Sequence, residues 1–466
     1  MMVKTRFAPS PTGHLHIGGL RTAIFNYYFA KANKGEFLLR IEDTDAQRSK
    51  EEYTKAILEA LDWCSLKWDE ICYQSKRQEL YEEYAKRLLE EGKAYRCYCS
   101  KERLEKLKEQ QLRNGENPHY DGHCRNLNVD DPTREHVIRI KLPLEDIEFH
   151  DHIHGRMHFS HKEFDDFIIR RSDGSFVYNF TNVVDDIECG ITHVIRGDDH
   201  LTNTAKQIVL YRLFGKRPPE YAHVPLILGQ DRTRLSKRHG AKSVLEYRQM
   251  GILPFALVNY LIRLGWSCGD KEIFLTEEEI LECFSLEGLN KAAATFDPDK
   301  LLWVNAEHIR AMDPNRLLEY TKPFLDKRCL SYPDEYLLRA IKTMQPRAST
   351  LKELAEGMRF YCVEPEHYEQ KAAKKYLKPQ VKEALEYLYD LLKQCNFDDE
   401  SSLQKAFEET INRFNIKMVK IAQPVRIGLT GRGAAPGIYE MLMILGKDES
   451  LRRIKKVIDA IPSAPD

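Results

Sequence analysis

Two histidines, His14 and His16, stand in a turn between a stretch that alternates at Val3, Thr5 and Phe7 and one that carries Ile17, Leu20, Ile24 and Tyr28 at helical spacing. The alternation predicts a strand, Pro9, Pro11 and Gly13 break it, and the stripe predicts a helix opening on Gly18 and Gly19. At such an opening, free backbone N–H groups and the helix dipole favour an anion, and the histidines can donate to phosphate. A second apolar strand over 37–41 runs into Glu42, Asp43 and Asp45, which sets carboxylates at a strand's carboxyl end, where open α/β sheets bind ligands. Arg196 ends a later strand and faces the same pocket. The polar run 230–240, with Arg232, Arg234, Ser236, Lys237 and Arg238, is a cation-rich loop suited to a triphosphate.

The other chemical cluster is Cys97, Cys99 and Cys124. Ser100 caps a charged helix between them, and Gly115, Asn117 and Pro118 end it, so the chain can return to the first pair. Three thiolates and a fourth donor make a closed, tetrahedral zinc site of the structural kind. His119 and His123 are candidates for the fourth place, imidazole being a common zinc donor. Four histidines at 150, 152, 154 and 158 would share one face of a strand. They read as solvated, since no cysteine or carboxylate spacing accompanies them.

The elements that must position these groups follow from pattern. Ser49 with Glu52 and Ser75 with Gln78 read as capping boxes, and Gly92 stops the second helix. Residues 167–180 read as a hairpin across Ser172, Asp173, Gly174 and Ser175, and the first sheet resumes near Tyr178 to Asn182. A strand at 194–200, a helix at 202–214 and a strand at 222–228 follow. Helices then start at Pro254, at Thr276 with Glu279, and after Phe296, Asp297 and Pro298. Beyond about Arg310 the chain is all-α, with Arg347 and the 426–432 loop as candidate RNA contacts.

Composition bounds the class. A chain of 466 residues makes several domains, each able to bury a core. The net charge of −1 means that any RNA contact uses local patches and not a global field. No secretory segment opens the chain and no apolar run reaches the roughly 18 residues of a membrane span, so the reading is soluble and cytoplasmic, with no membrane partner. The 11 cysteines, Cys64, Cys283 and Cys362 among them, read as core thiols and not disulfides.

The residues also carry a resemblance. His16-Ile17-Gly18-Gly19 resembles the HIGH signature of class I aminoacyl-tRNA synthetases, and Arg234-Leu235-Ser236-Lys237-Arg238 resembles their KMSKS loop. The run from Arg6 to Gly13 is similar to the opening of bacterial-type glutamyl-tRNA synthetases, and Gly428 to Gly437 is similar to that family's C-terminal domain. The resemblance implies an α/β Rossmann-type catalytic domain in two halves (1–74 and 178–242) around an α+β zinc-containing insert (75–177). A helical stem-contact domain (243–310) and an all-helical anticodon-binding domain (311–466) would follow. It also implies ATP, magnesium and a structural zinc ion as cofactors, and L-glutamate and tRNA-Glu as partners, with tRNA-Gln left open and a monomer as the working form.

By the same resemblance, His16, Gly18 and Lys237 are catalytic, and His14, Gly19, Arg234, Leu235 and Ser236 join them at ATP. Arg6, Ala8, Ser10, Glu42, Tyr178, Asn182 and Arg196 hold glutamate, while Cys97, Cys99, Tyr120 and Cys124 hold zinc and Arg347 reads the anticodon. The alternatives are a glutaminyl-tRNA synthetase, a truncated relative that modifies a tRNA base, a non-charging RNA-binding paralogue, and a nucleotidyltransferase. Ala8 to Gly13, Gly19 and the helical tail speak against the first, and length against the second. His16 and Lys237 speak against the third, and size and the zinc insert against the fourth.

Overall fold

The computed structural model describes residues 2–45, 48–127, 131–235 and 242–462, so Ser236 and Lys237 lie outside the described residues. The chain forms two compact units, one of residues 1–247 with 257–298 and one of residues 248–256 with 299–466. The expected stem-contact stretch, 243–310, is thus divided between them.

In chain order the strands are β1 (Lys4–Phe7), β2 (Glu36–Ile41), β3 (Glu70–Tyr73), β4 (Ala94–Cys97), β5 (Val137–Ile140), β6 (Ile147–Asp151), β7 (Gly155–Phe159), β8 (Ile168–Arg170), β9 (His193–Gly197) and β10 (Glu220–Val224). The first helices are α1 (Ile17–Ala32), α2 (Glu51–Trp63), α3 (Gln78–Glu90), α4 (Lys101–Arg113), α5 (Tyr178–Glu188) and α6 (Leu201–Leu213). Strands β1, β2 and β3 pair in parallel, and β9, β10 and β6 pair in parallel with β7 antiparallel at the edge. Lys4 donates its N–H to Thr192 Oγ1 (2.8 Å) and accepts at its carbonyl from Thr192 N (2.9 Å), which seats β1 beside the start of β9. From that seam the strand order runs outward both ways, so the carboxyl ends of β1 and β9 frame a topological switch point, where such sheets open a crevice.

Helix α1 lies against this seam and is buried on nearly every side. Its polar Asn26 ties it to both strands: Nδ2 donates to Ile195 O on β9 (2.8 Å), and the Asn26 backbone carbonyl accepts from Thr5 Oγ1 on β1 (2.9 Å). The helix opening is therefore held in register with both strands. One apolar core runs through Leu38, Tyr81, Ile140, Ile169, Phe180, Val194 and Ile208, joining both sheet halves to the antiparallel sheet of β4, β5 and β8. The 75–177 stretch therefore shares its core with the flanking halves, and its β6–β7 hairpin extends their sheet.

Several local expectations change in the folded chain. The segment at Tyr178 to Asn182 is the first turn of α5 and not a strand, and the hairpin before it shrinks to β8, the turn and a single bridge from Arg170 to Phe176. Strand β10 stops at Val224, short of 228. Ser49 does not cap α2, whose N-cap is Lys50 with no side-chain bond. Ser75 does not cap α3 either, because its N–H and hydroxyl both bind the Asp43 carboxylate (2.8 and 2.7 Å). The four histidines do not share a strand face: His150 and His158 sit on separate strands, and His152 and His154 turn between them to meet Glu220 and the His223 carbonyl. Cys268 and Cys283 form a disulfide, which corrects the thiol reading for Cys283, whereas Cys64 and Cys362 are free.

The second unit is helical, from Pro314–Thr321 through Lys447–Asp459. A Cβ on Gly428 would lie 2.9 Å from Val457 Cγ1, so glycine is what lets Met418–Thr430 approach the last helix. The buried Arg453 binds the Phe360 and Leu429 carbonyls (2.7 and 2.6 Å) and Glu449. No helix among the described residues is long and apolar enough to cross a membrane.

Candidate active site

A cleft of about 1130 Å³ opens at the switch point. His16 is the N-cap of α1, and its Nδ1 accepts from Gly19 N (3.2 Å). One of the amides expected to be open to an anion is thus engaged by the imidazole, and the neutral ring carries its proton on Nε2. The ring is open to solvent on one side but crowded by the cleft wall, and this crowding, then the Arg234 charge, lowers its pKa below the usual imidazole value. Gly18 makes room for it: a Cβ there would lie 3.0 Å from His16 Cε1 and Nδ1. His14 stands edge-on to Tyr53 at 5.2 Å. Across the cleft the cation-rich loop begins as a tight turn, in which Gly229 N donates to Thr233 O (2.8 Å) and Leu235 N to Ile227 O (3.0 Å). Exposed Arg234 lies 3.7 Å from Asp199.

The floor of the cleft is a network of buried charge. Arg40, fully buried on β2, reaches Asp186 Oδ1 (2.5 Å), Glu42 Oε1 (3.4 Å) and Asp185 Oδ2 (3.9 Å). Asp186 also accepts from Arg6 Nε (3.2 Å). Burial alone would raise Asp186, but Arg40 and Arg6 outweigh it and hold its pKa below the usual carboxylate range. Glu42 goes the other way, since burial raises it against the pull of Arg40 and Arg6. Asn182 Nδ2 donates to Glu42 Oε1 (3.1 Å), and Asn182 Oδ1 accepts from Gln207 Nε2 (3.2 Å). Gln207 Oε1 in turn accepts from Arg196 NH2 (2.8 Å). The result is two guanidiniums, Arg6 and Arg196, and one carboxylate, Glu42, each anchored from behind and bordering one cavity. Such an arrangement fits a small molecule with two carboxylates and an ammonium group.

At the far end of β4, the Cys97, Cys99 and Cys124 sulfurs lie within 4.8 Å of one another, and no other group of three or more such donors among the described residues does so. In a tetrahedral zinc site with Zn–S near 2.3 Å, sulfurs stand about 3.8 Å apart; those of Cys99 and Cys124 are 3.5 Å apart. The Tyr120 hydroxyl is 3.3 Å from the Cys97 sulfur and 3.8 Å from that of Cys99, so the fourth donor nearest the cluster is the phenol. Neither His119 nor His123 joins the cluster, since neither brings a ring nitrogen within 4.8 Å of all three sulfurs.

Residues 2–303 match the family model for "tRNA synthetases class I (E and Q), catalytic domain", and residues 316–458 match that for "Anticodon binding domain". The chain belongs to the class I tRNA synthetases of this E and Q family. It is 49% identical to the glutamate–tRNA ligase of Thermodesulfovibrio yellowstonii over 98% of this chain and 100% of that one. It is also 49% identical to that of Geobacter sulfurreducens, over 98% of each. The crystal structure of a glutamate tRNA ligase from Elizabethkingia meningosepticum in complex with its amino acid superimposes with a TM-score of 0.90 at 31% identity, covering 99% of this chain and 100% of that chain.

All the described synthetase residues expected at ATP and glutamate line the one cleft: His14, His16, Gly18 and Gly19; Arg234 and Leu235; and Arg6, Ala8, Ser10, Glu42, Tyr178, Asn182 and Arg196. Sequence reasoning missed Arg40, Asp185, Asp186 and Gln207. A signal existed for two of them. Arg40 interrupts an apolar strand, and Asp186 falls on the buried side of α5. Arg347 is exposed in the second unit, near enough to Arg426 to lower its pKa, after the larger effect of Arg426's burial. Gly18→Ala tests the turn. Alanine is the better helix former by up to about 1 kcal/mol, so the melting temperature should hold or rise, while ATP-dependent activity should fall roughly tenfold or more as the His16 ring is displaced. Unchanged activity would contradict the fit between Gly18 and His16.

Proposed function

We propose that the chain is a glutamate–tRNA ligase. The α-carboxylate oxygen of L-glutamate attacks the α-phosphorus of ATP, giving glutamyl-adenylate and pyrophosphate. The 3′-terminal ribose hydroxyl of tRNA-Glu then attacks the acyl carbon and AMP leaves. The observation that carries this reading is the set of Arg6, Arg196 and Glu42, back-anchored and facing the same cleft as the His16 turn. Glu42 pairs with the α-ammonium, and the two arginines take the two carboxylates. Ala8, Ser10, Tyr178 and Asn182 complete that pocket. A glutamine amide in place of the side-chain carboxylate leaves a buried guanidinium uncompensated, which disfavours it.

Catalysis in this scheme is positioning and charge stabilisation, with no covalent enzyme intermediate. His16, with its Nε2 proton, and His14 hold phosphate, Gly18 and Gly19 let the nucleotide approach, and Arg234, Leu235, Ser236 and Lys237 form the loop at the triphosphate, with Lys237 neutralising the leaving pyrophosphate. Magnesium, bound with ATP, supplies further neutralisation.

The domain scheme we propose keeps 1–74 and 178–242 as catalytic halves, 75–177 as the acceptor-binding insert, 243–310 as stem contact and 311–466 as the anticodon-binding region, with Arg347 as an anticodon contact. Helices throughout the described tail and the matching anticodon-domain model support the last of these. We place the enzyme in the cytoplasm, where tRNA, ATP and glutamate occur together. We propose a monomer as the working form.

Charging of separate tRNA-Glu and tRNA-Gln transcripts with labelled glutamate tests the reading. We expect glutamate on tRNA-Glu and loss of nearly all activity in Lys237→Ala. Label on both tRNAs would extend the specificity, and label on neither would overturn the function. We also propose that Cys97, Cys99, Cys124 and Tyr120 hold one structural zinc ion. Metal analysis of the purified protein should give about one zinc per chain, and chelation should lower its melting temperature. A folded protein without zinc would sink this assignment.

A further inference from the structure

We propose that His223, held by Asp151, is a positioning residue for Arg196, fixing the guanidinium so that only its cleft-facing end is left for a carboxylate. This rests on the reading of Arg196 as a carboxylate partner of glutamate. The three residues come from three neighbouring strands: Asp151 ends β6, His223 lies on β10 and Arg196 on β9. His223 and Asp151 are 0% exposed, and neither is among the residues lining the cleft.

The hydrogen bonds dictate the state of the ring. His223 Nδ1 is 2.6 Å from Asp151 Oδ2, and an ionised carboxylate only accepts, so Nδ1 carries the proton. Asp151 is itself fixed, since its Oδ1 accepts from the N–H groups of Ile153 and His154 (2.9 Å each) and its Oδ2 from His223 N (3.1 Å). Nε2 is therefore a bare acceptor. It takes the Nε–H of Arg196 at 3.2 Å and lies 2.8 Å from Thr204 Oγ1.

Arg196 NH2 is spent on Thr204 Oγ1 (2.5 Å) and Gln207 Oε1 (2.8 Å), while the Tyr221 ring lies under the guanidinium at 5.9 Å. What remains is NH1, 3.5 Å from the Tyr178 hydroxyl, and both Tyr178 and Arg196 line the cleft. A protonated imidazole would turn an N–H toward the Arg196 N–H. Burial, opposed by Asp151 and assisted by Arg196, pushes the His223 pKa down to about 4, which keeps the ring neutral at working pH. The side chain that orients Arg196 is thus held by a carboxylate from a hairpin inside the 75–177 stretch.

The test is a steady-state comparison of glutamate KM and kcat in tRNA charging for Arg196→Ala, His223→Leu, His223→Gln, Asp151→Asn and the double variant Arg196→Ala/His223→Leu, with each fold checked by circular dichroism. Arg196→Ala should raise KM at least about tenfold. His223→Leu, which leaves the Arg196 Nε–H unpaired, should raise KM about tenfold with kcat within about threefold, and should add nothing in the Arg196→Ala background. His223→Gln, whose Oε1 can reach the Nε2 position, should recover most of the loss. Asp151→Asn should raise KM more than His223→Gln, because an amide donor facing Nδ1 moves the ring proton to Nε2, as it does in triads.

An unchanged KM in His223→Leu beside a raised KM in Arg196→Ala would overturn the positioning role alone, as would additive effects in the double variant. Should His223→Leu fail to fold, the Gln and Asn variants decide: equal KM values for them overturn the proposal. An unchanged KM in Arg196→Ala would overturn the carboxylate reading on which the proposal stands.

Discussion

Asp186 is the carboxylate on which the cleft depends. It takes Arg6 and Arg40 together, in a site where all three side chains are almost wholly removed from water. Isolated, each ion would cost several kcal/mol to bury, and removing one partner of such a group typically costs about 3–5 kcal/mol. Under the function we propose, the network does what an apolar core of the same volume could not, since a charge that is to bind a substrate carboxylate has to be oriented before the substrate arrives. Arg6 offers its remaining donors to the cleft only because Asp186 has fixed its Nε, and Glu42 faces the same space only because Arg40 and Asn182 hold it.

That rigidity suits a reaction in which the protein makes no covalent bond. Adenylate formation needs an anion brought against another anion, ATP, and the barrier falls when fixed cations and helix-end dipoles meet the charge as it develops. The fold supplies both from one seam. Strands β1 and β9 bring Arg6 and Arg196 to the crevice, and α1, pinned to both strands through Asn26, brings His16 and the glycines to its other wall. In the reaction we propose, the strands serve the amino acid and the helix opening serves the nucleotide.

The legible part of this architecture was local. A histidine turn between a strand and a helix, a cation-rich loop and three cysteines around a capped helix are each written within a few dozen residues, and the described ones lie where the pattern placed them. What was not legible depended on partners distant in sequence. Asp185 and Gln207, like Asp151 and His223, are ordinary polar residues until the fold brings their partners within hydrogen-bond reach. Tyr178 to Asn182 carries the aromatic and β-branched residues of a strand, yet tertiary packing makes it a helix whose buried side holds Asn182 and Asp186. The serine at 75 looked like a helix cap until Asp43, 32 positions away, competed for it. The 75–177 stretch read as a separate insert, but its hairpin contributes the carboxylate behind His223.

Binding of the two non-hydrolysable acyl-adenylate analogues, one carrying glutamate and one glutamine, measured by calorimetry without tRNA, bears most directly on the claim that pre-anchored buried cations select the substrate. The glutamate analogue should bind about 100-fold tighter or more, since the amide leaves a desolvated guanidinium without its counter-charge, a loss of about 2–5 kcal/mol. Equal affinities would mean that Arg6 and Arg196 do not read the side-chain carboxylate, and the account of the cleft would fall.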